Sequence, residues 1–466
     1  MENIEKGQAP VPPENKMGIM PVNKLLLTMS IPMMISMLVQ ALYNIVDSVF
    51  VAQISENALT AVSLAFPMQN LLISVAVGTG VGVNALLSKS LGEKNIFMVN
   101  KSANNALFLA ILSWILFVFI GIFLAKPFYT FQTDVTEIVD YGTSYLFICC
   151  IFSLGVFLQI ASERLLQSTG KALLFMVVQG VGAIVNIILD PILIFGWFGL
   201  PRLEVMGAAI ATVIGQWCGM IVGIIFNIKF NKEIQLKFSE IRPYPPAIRK
   251  IYSVGFPSII MNSVGSVMTF SMNKILLSFS TTAAAVFSGV YFKVQSFIFM
   301  PVFGLNNGLV PIIAYNYGAK KGDRMKETIK YGILYATALM ILGILIFQFL
   351  PKQLLLLFKA SPHMMEIGVP CLRIISISFL FAGFCIVVGS VFQAVGNGFL
   401  SLWVSIGRQL VVLLPVAFLL AQLDNINYVW WSFPIAEIAS LTLSTIFLKH
   451  IYKKKIKPLM PPHHKN

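Results

Sequence analysis

Long apolar runs separated by short polar breaks make up most of this chain, and the runs set the elements. A membrane-crossing helix needs about 20 mainly apolar residues. Twelve stretches reach that length: 25–50, 59–88, 104–124, 141–163, 172–197, 206–228, 252–278, 284–316, 330–350, 368–392, 399–421 and 427–449. Runs such as Ile111 to Leu124 are continuously apolar, whereas barrel strands would be about 10 residues of strict alternation. The pattern predicts twelve helices. Pro32, Pro67, Pro191, Pro257, Pro301, Pro311 and Pro415 fall inside the stretches. Proline kinks a helix, and membrane helices tolerate it where neighbours satisfy the freed carbonyls. Residues 1–24 are polar and Pro-rich with no apolar core, so they read as a cytoplasmic segment and not a cleaved signal.

Composition supports this picture. Of 466 residues, 57% are hydrophobic and 11% charged, and the mean hydropathy is +0.83. A soluble domain carries about 25% charged residues, so a soluble enzyme, a disordered regulator and a disulfide scaffold are all excluded. The net charge of +14 reports topology. With the N-terminus inside, 25 of the 33 Lys and Arg residues fall in inside segments, four in outside loops and four within spans. Positive charge marks cytoplasmic loops, so both termini are expected inside an inner cell membrane, with membrane lipid and not nucleic acid as the surroundings.

The second half echoes the first at an offset near 226. Ser30-Ile-Pro32 pairs with Gly255-Phe-Pro257, and Phe66-Pro-Met-Gln69 with Phe292-Lys-Val-Gln295. Gly78, Gly82 and Gly92 pair with Gly304, Gly308 and Gly318, and Gln167 and Gly170 with Gln393 and Gly396. The expected divisions are a cytoplasmic segment (1–24), a first six-helix lobe (25–228), a basic linker (229–250), a second lobe (251–450) and a basic tail (451–466). Six spans per half make the repeat parallel, a hallmark of secondary transporters that bind near the midplane between halves.

Ionisable residues inside spans are costly and mark function. Asp47 lies in Tyr43-Asn-Ile-Val-Asp47-Ser, and Asp190 in Asn186-Ile-Ile-Leu-Asp190-Pro191. Asn186 and Asp190 are four apart and share a helix face. Asp47, Asn186 and Asp190 could hold Na⁺ through oxygens or carry a proton; the plain alternative is that Asp190 caps a helix before Pro191. Glu163–Arg164 reads as an interfacial ion pair. Lys274, Lys293, Arg373, Arg408 and Glu437 receive no role, with snorkelling to an interface one reading for the bases and cavity exposure another for Lys293. The 21 Met and 37 Phe residues suit adaptable packing. Cavity candidates are those near polar signals: Gln40, Tyr43, Met68, Gln69, Met268, Met272 and Gln295. Cys149, Cys150, Cys218, Cys371 and Cys385 read as small buried hydrophobes, and His463–His464 as a solvated tail. No metal-ligand spacing, nucleophile–base set or cofactor motif appears. Gly170–Lys171 lacks the rest of a phosphate loop, so no enzyme activity, cofactor or ATP-driven transport is expected.

Pro32-Met-Met-Ile, Tyr43 to Asp47-Ser, Gly78-Thr-Gly80-Val-Gly82, Ser90-Leu-Gly92-Glu-Lys94, Asn186 to Pro191 and Gly207-Ala-Ala-Ile-Ala-Thr212 together resemble the MATE (multidrug and toxic compound extrusion) family, in particular its MepA-like bacterial branch. The resemblance covers about 20–450. It implies an all-α membrane protein of twelve helices in two six-helix lobes forming a V, and export of amphipathic or cationic drugs against inward H⁺ or Na⁺ by alternating access. It also implies a cation site at Asp47, Tyr145, Asn186, Asp190 and Thr212. Some members carry acids in spans 7 and 10; here Met261 to Met268 and Ile375 to Phe392 contain none, so coupling through the first lobe is expected. The alternative is a flippase for a lipid-linked sugar or lipid precursor, which would need a strongly cationic cavity.

Overall fold

The structure, a computed structural model, describes residues 14–460. The start of the expected cytoplasmic segment and His463–His464 lie outside the described residues. Among the described residues all regular structure is helical. Ten helices are long and apolar enough to cross a membrane: Val22–Ala52 (span 1), Glu56–Gly92 (span 2), Ile96–Gln132 (span 3), Ala172–Phe195 (span 5), Glu204–Phe230 (span 6), Pro245–Leu277 (span 7), Thr281–Gly318 (span 8), Gly322–Phe349 (span 9), Gly398–Ala421 (span 11) and Ile426–Leu459 (span 12). Two bent pairs complete twelve: Thr136–Ile151 with Leu154–Ser168 (span 4, 47°) and Pro362–Ser376 with Phe379–Ala394 (span 10, 50°). Each of the twelve predicted stretches falls on one of these spans.

Polar residues at the stretch borders start the helices. Ser55 and Ser280 accept the backbone N–H groups of Ala58 and Ala283 at equivalent ends of spans 2 and 8, and Asn95 does the same for Met98 in span 3. Such caps satisfy donors that a helix start leaves free.

The repeat seen in the sequence is built into the backbone. Left-handed residues recur 226 positions apart, as Lys94 with Lys320, Gly170 with Gly396 and Phe198 with Asp424. The bends of spans 4 and 10 also fall at equivalent places, between Ile151 and Leu154 and between Ser376 and Phe379.

The lobes meet along a glycine seam. A Cβ on Gly92 of span 2 would collide with the Tyr315 carbonyl of span 8, and one on Gly318 of span 8 with the Lys89 carbonyl of span 2. Because Lys89 and Tyr315 are themselves repeat equivalents, the contact has the pseudo-two-fold symmetry of the fold. Gly82 packs against Ile251 of span 7, and Gly308 against Ser30 of span 1, whose hydroxyl donates to the Leu305 carbonyl at 3.3 Å. Only backbones without side chains can approach this closely, as small residues allow elsewhere in membrane bundles.

The seam lies at the end of the molecule that carries the described N-terminal residues, the linker and the end of span 12. Residues 14–20 tie both lobes there. Asn15 donates to the Thr169 carbonyl of the first lobe at 3.0 Å. Met17 is fully buried, and its carbonyl accepts from Asn316 at 3.1 Å and Arg324 at 3.2 Å, both of the second lobe. Glu14 pairs with Lys321. The linker is pinned as well. Asn100, Asn104 and Asn105 of span 3 accept the backbone N–H groups of Gln235, Lys237 and Tyr244 at 2.8, 3.1 and 2.9 Å.

Two outcomes follow. Gly82→Ala forces the seam apart, so spin labels on Lys94→Cys and Lys320→Cys report a longer interlobe distance than in the parent; an unchanged distance contradicts the seam. Lys321 holds the Glu14 carboxyl below its usual value. A depressed carboxylate contributes stability above its unfolded value and loses it as pH falls through the folded one. Amide exchange at Met17 and Gly18, corrected for intrinsic rates, is therefore flat between about pH 6 and pH 8 and rises in Lys321→Gln; equal protection in the variant contradicts the tie.

Candidate ion and substrate site

The polar residues of the first lobe gather between spans 1, 2, 4, 5 and 6. On span 1, Gln40, Tyr43 and Asp47 recur at three and four residues and share a face. On span 5, Gln179, Asn186 and Asp190 recur at seven and four residues and also share a face. The two faces meet at two levels. Gln179 donates to Gln40 at 2.9 Å, and farther along the carboxyls of Asp47 and Asp190 adjoin, within hydrogen-bonding reach of one another. Asp190 is fully buried. The following Pro191 has no N–H to bond the carbonyl one turn back, which leaves the Ile187 carbonyl without its helical donor.

Asn186 is buried and organises the neighbours. Its amide nitrogen donates to Asp190 Oδ1 at 3.4 Å and to Thr212 Oγ1 of span 6 at 3.3 Å. Tyr145 of span 4 is buried and accepts from Gln69 of span 2 at 2.9 Å. It stands close to Asp47, Tyr43 and Cys149, and Tyr43 stands close to both carboxyls.

The donor set decides what the site can hold. Asp47 Oδ1, Asn186 Oδ1 and Asp190 Oδ2 are buried and have no hydrogen-bond partner in the protein. All three are acceptor oxygens. Two adjoining carboxylates repel, and burial in an apolar bundle sharpens the repulsion. A proton shared by the pair, or a hard cation bound by oxygens, relieves it. The residues present fit either ion.

The structure thus brings together the five expected coupling residues, Asp47, Tyr145, Asn186, Asp190 and Thr212. Gln69 bonds Tyr145, Tyr43 stands beside the carboxyls, and Gln40 bonds Gln179 at the other level, with Met68 half-buried against the first-lobe core. Met268 and Met272 of span 7 lie elsewhere: both are buried in the second-lobe core, Met272 completely. They pack and do not line an open cavity in this arrangement. Gln295 is half-buried on span 8. Asn70 of span 2 donates to Ser266 Oγ of span 7 at 3.1 Å, a bond that bridges the lobes at this depth.

The interfacial pairing expected for Glu163 and Arg164 is corrected. Both are 5% exposed and they do not pair with each other. Glu163 accepts from Gln159 at 2.9 Å, while Arg164 donates to Gln167 at 2.7 Å and to Asn307 of the second lobe at 3.4 Å. Consecutive residues on a helix point about 100° apart, so neighbouring opposite charges need not meet. Sequence reasoning also missed Gln179 and Cys149. Gln179 sits seven residues before Asn186 on the same face, a spacing that could have revealed it. Cys149 sits one turn after Tyr145 and borders the polar cluster; its apolar residue type hid it.

Comparison with known proteins adds an independent line. The MatE family model matches residues 32–192 and 257–419, one match in each half of the chain. The "Multidrug export protein MepA" of Staphylococcus haemolyticus is 26% identical over 415 residues, covering 89% of this chain and 90% of the relative. An "FAD transporter" of Shewanella oneidensis is 26% identical over 423 residues, covering 90% and 92%. Among solved structures, a multidrug resistance MATE family transporter in an outward-facing conformation superposes with a TM-score of 0.89 at 21% identity, covering 97% of this chain and 99% of that one.

Asp190→Asn removes one charge from the adjoining pair and keeps an acceptor for Asn186. Its melting temperature in detergent therefore stays within about 3 °C of the parent. A fall of more than about 10 °C would instead make Asp190 a structural helix cap.

Proposed function

We propose, on the premise that this chain belongs to the MatE family of multidrug efflux transporters, that it exports amphipathic and cationic drugs in exchange for inward H⁺ or Na⁺ through the carboxyls of its first lobe. The observation that carries the coupling is the adjoining Asp47–Asp190 pair, with one unpartnered buried oxygen on each acid and a third on Asn186 beside them. The protein is a multi-pass membrane protein, and the proposed setting is the inner cell membrane with the glycine seam and both termini on the cytoplasmic side.

In this reading the glycine seam closes the cytoplasmic end and leaves the lobes to part on the other side, the arrangement for drug release. A proton or Na⁺ entering from outside neutralises Asp47 and Asp190. Span 1, which carries Asp47 and contains Pro32, then bends and narrows the cavity, and drug leaves. When the seam opens, the ion departs inward and the recharged carboxylates favour a new cation. A ligand drives such a cycle only through different affinities for the two states, and two carboxylates shared by ion and drug supply that difference. Asp47, Tyr145, Asn186, Asp190 and Thr212 are the proposed coupling residues; Gln40, Tyr43, Met68 and Gln69 are the proposed cavity wall beside them.

The flippase alternative requires a cluster of unpaired bases for a diphosphate. The mid-span Arg408 is paired with Glu437 at 3.2 Å, and the deepest polar cluster in the first lobe is acidic, so drug export is the better-supported reading.

The test is ethidium efflux from proteoliposomes under a Na⁺ gradient or a pH gradient imposed separately. One gradient drives efflux in the parent, and Asp190→Asn slows it at least about tenfold. Normal gradient-driven efflux in Asp190→Asn contradicts the coupling assignment, and no efflux under either gradient from folded protein contradicts drug export.

A further inference from the structure

The second lobe contains a charged pair that the coupling reading does not use. Arg408 of span 11 donates through Nη1 to Glu437 Oε2 of span 12 at 3.2 Å. Arg408 lies ten residues beyond the start of its span and Glu437 eleven beyond the start of its own, which at 1.5 Å per residue puts both about 15 Å deep, near the middle of a hydrocarbon core of about 30 Å.

The two partners are unequal. The Glu437 side chain is 5% exposed, whereas that of Arg408 is 37% exposed. The Cys385 thiol of span 10 lies beside Glu437, Ser440 and Ser444 of span 12, so the carboxylate sits in the packed interior between spans 10 and 12. Tyr291 of span 8 stands close to both charges. Arg408 makes no other hydrogen bond among the described residues, and its Nε and Nη2 are not among the buried atoms that lack partners. That edge of the guanidinium therefore faces accessible space. Span 11 also widens to a π-helix over Gly407–Leu413, a distortion that re-aims side chains and recurs at functional sites.

The repeat gives the pair its meaning. At the offset of 226, Arg408 corresponds to Gly182 on span 5 and Glu437 to Ala211 on span 6, beside Thr212. The pair thus joins the two helices equivalent to those that Asn186 and Thr212 join in the first lobe. One lobe presents oxygen acceptors there, and the other presents guanidinium donors.

We propose that Arg408, held in place by Glu437, is an anion-recognising subsite that takes a carboxylate or phosphate group on a transported amphipath. With Nη1 occupied by Glu437, the Nε–Nη2 edge is a planar two-donor fork, the geometry that binds such groups in bidentate fashion. A substrate carrying both charges would span the cleft, its cation toward Asp47 and Asp190 and its anion toward Arg408. This deepens the export reading and rests on it for the direction of transport, but not for binding.

The test is equilibrium binding of two dyes to the full-length protein in detergent: fluorescein, which carries a carboxylate, and ethidium, a cation. In Arg408→Gln the fluorescein affinity falls about tenfold or more relative to ethidium, the worth of a charged hydrogen bond. Arg408→Lys keeps the charge but loses the fork, so it falls between. Glu437→Gln removes the competing carboxylate and tightens fluorescein relative to ethidium, which settles the matter if Arg408→Gln does not fold. Parallel loss of both dyes in Arg408→Gln, or no tightening in Glu437→Gln, overturns the subsite. Failure of ethidium efflux in the parent alongside Arg408-dependent fluorescein binding would overturn the export reading alone.

Discussion

Two carboxyl groups adjoining inside an apolar helix bundle constrain everything around them. Among the described residues no basic side chain pairs with Asp47 or Asp190, and in the proposed account the charge is balanced by an ion that arrives from outside the chain. The surrounding residues are matched to that need. Asn186 spends its amide nitrogen on Asp190 and Thr212 and leaves its oxygen free, and Tyr145 is fixed by Gln69 beside the pair. The site sits on helices, and span 1, which bears one of the two acids, carries Pro32 within its length.

The rest of the architecture gives that local charge a global consequence. A seam of glycines brings the backbones of spans 2 and 8 together with the symmetry of the repeat. Such a seam is either packed or parted, because close-packed interfaces do not deform gradually. The N-terminal residues 14–20 and the Asn-held linker brace the same end. Arg164 reaches from the first lobe to Asn307 of the second just inside it. The two lobes are alike in backbone and unlike in polarity, with acids gathered in the first and the Arg408–Glu437 pair in the second.

Much of this was legible in the sequence. Span number and position follow from the length and apolarity of each run, and the repeat follows from glycines and turn residues that the backbone requires at matching places. Asp47 and Asp190 stood out because charge is expensive at that depth, and Asn186 because it lies one turn from Asp190 on the same face. What hydropathy cannot show is direction. Met268 and Met272 have the residue type of a cavity wall, but their helix face turns into the second-lobe core. Glu163 and Arg164 are adjacent in the chain, yet each finds a different partner. Arg408 and Glu437 find each other across 29 residues, a pairing that only the packing of spans 11 and 12 creates. Cys149 borders the first-lobe cluster through contacts between helices, whereas Gln179 was readable from its place seven residues before Asn186 on one helix face.

The central claim is that ion and drug compete for the same pair of carboxyls. It is tested most directly by adding ethidium to the purified protein in weakly buffered solution and following the protons released, or the Na⁺ displaced, per ethidium bound. The account predicts release of one ion species on binding in the parent, and binding without release in Asp190→Asn. Ethidium binding to the parent with neither proton nor Na⁺ displaced would contradict it.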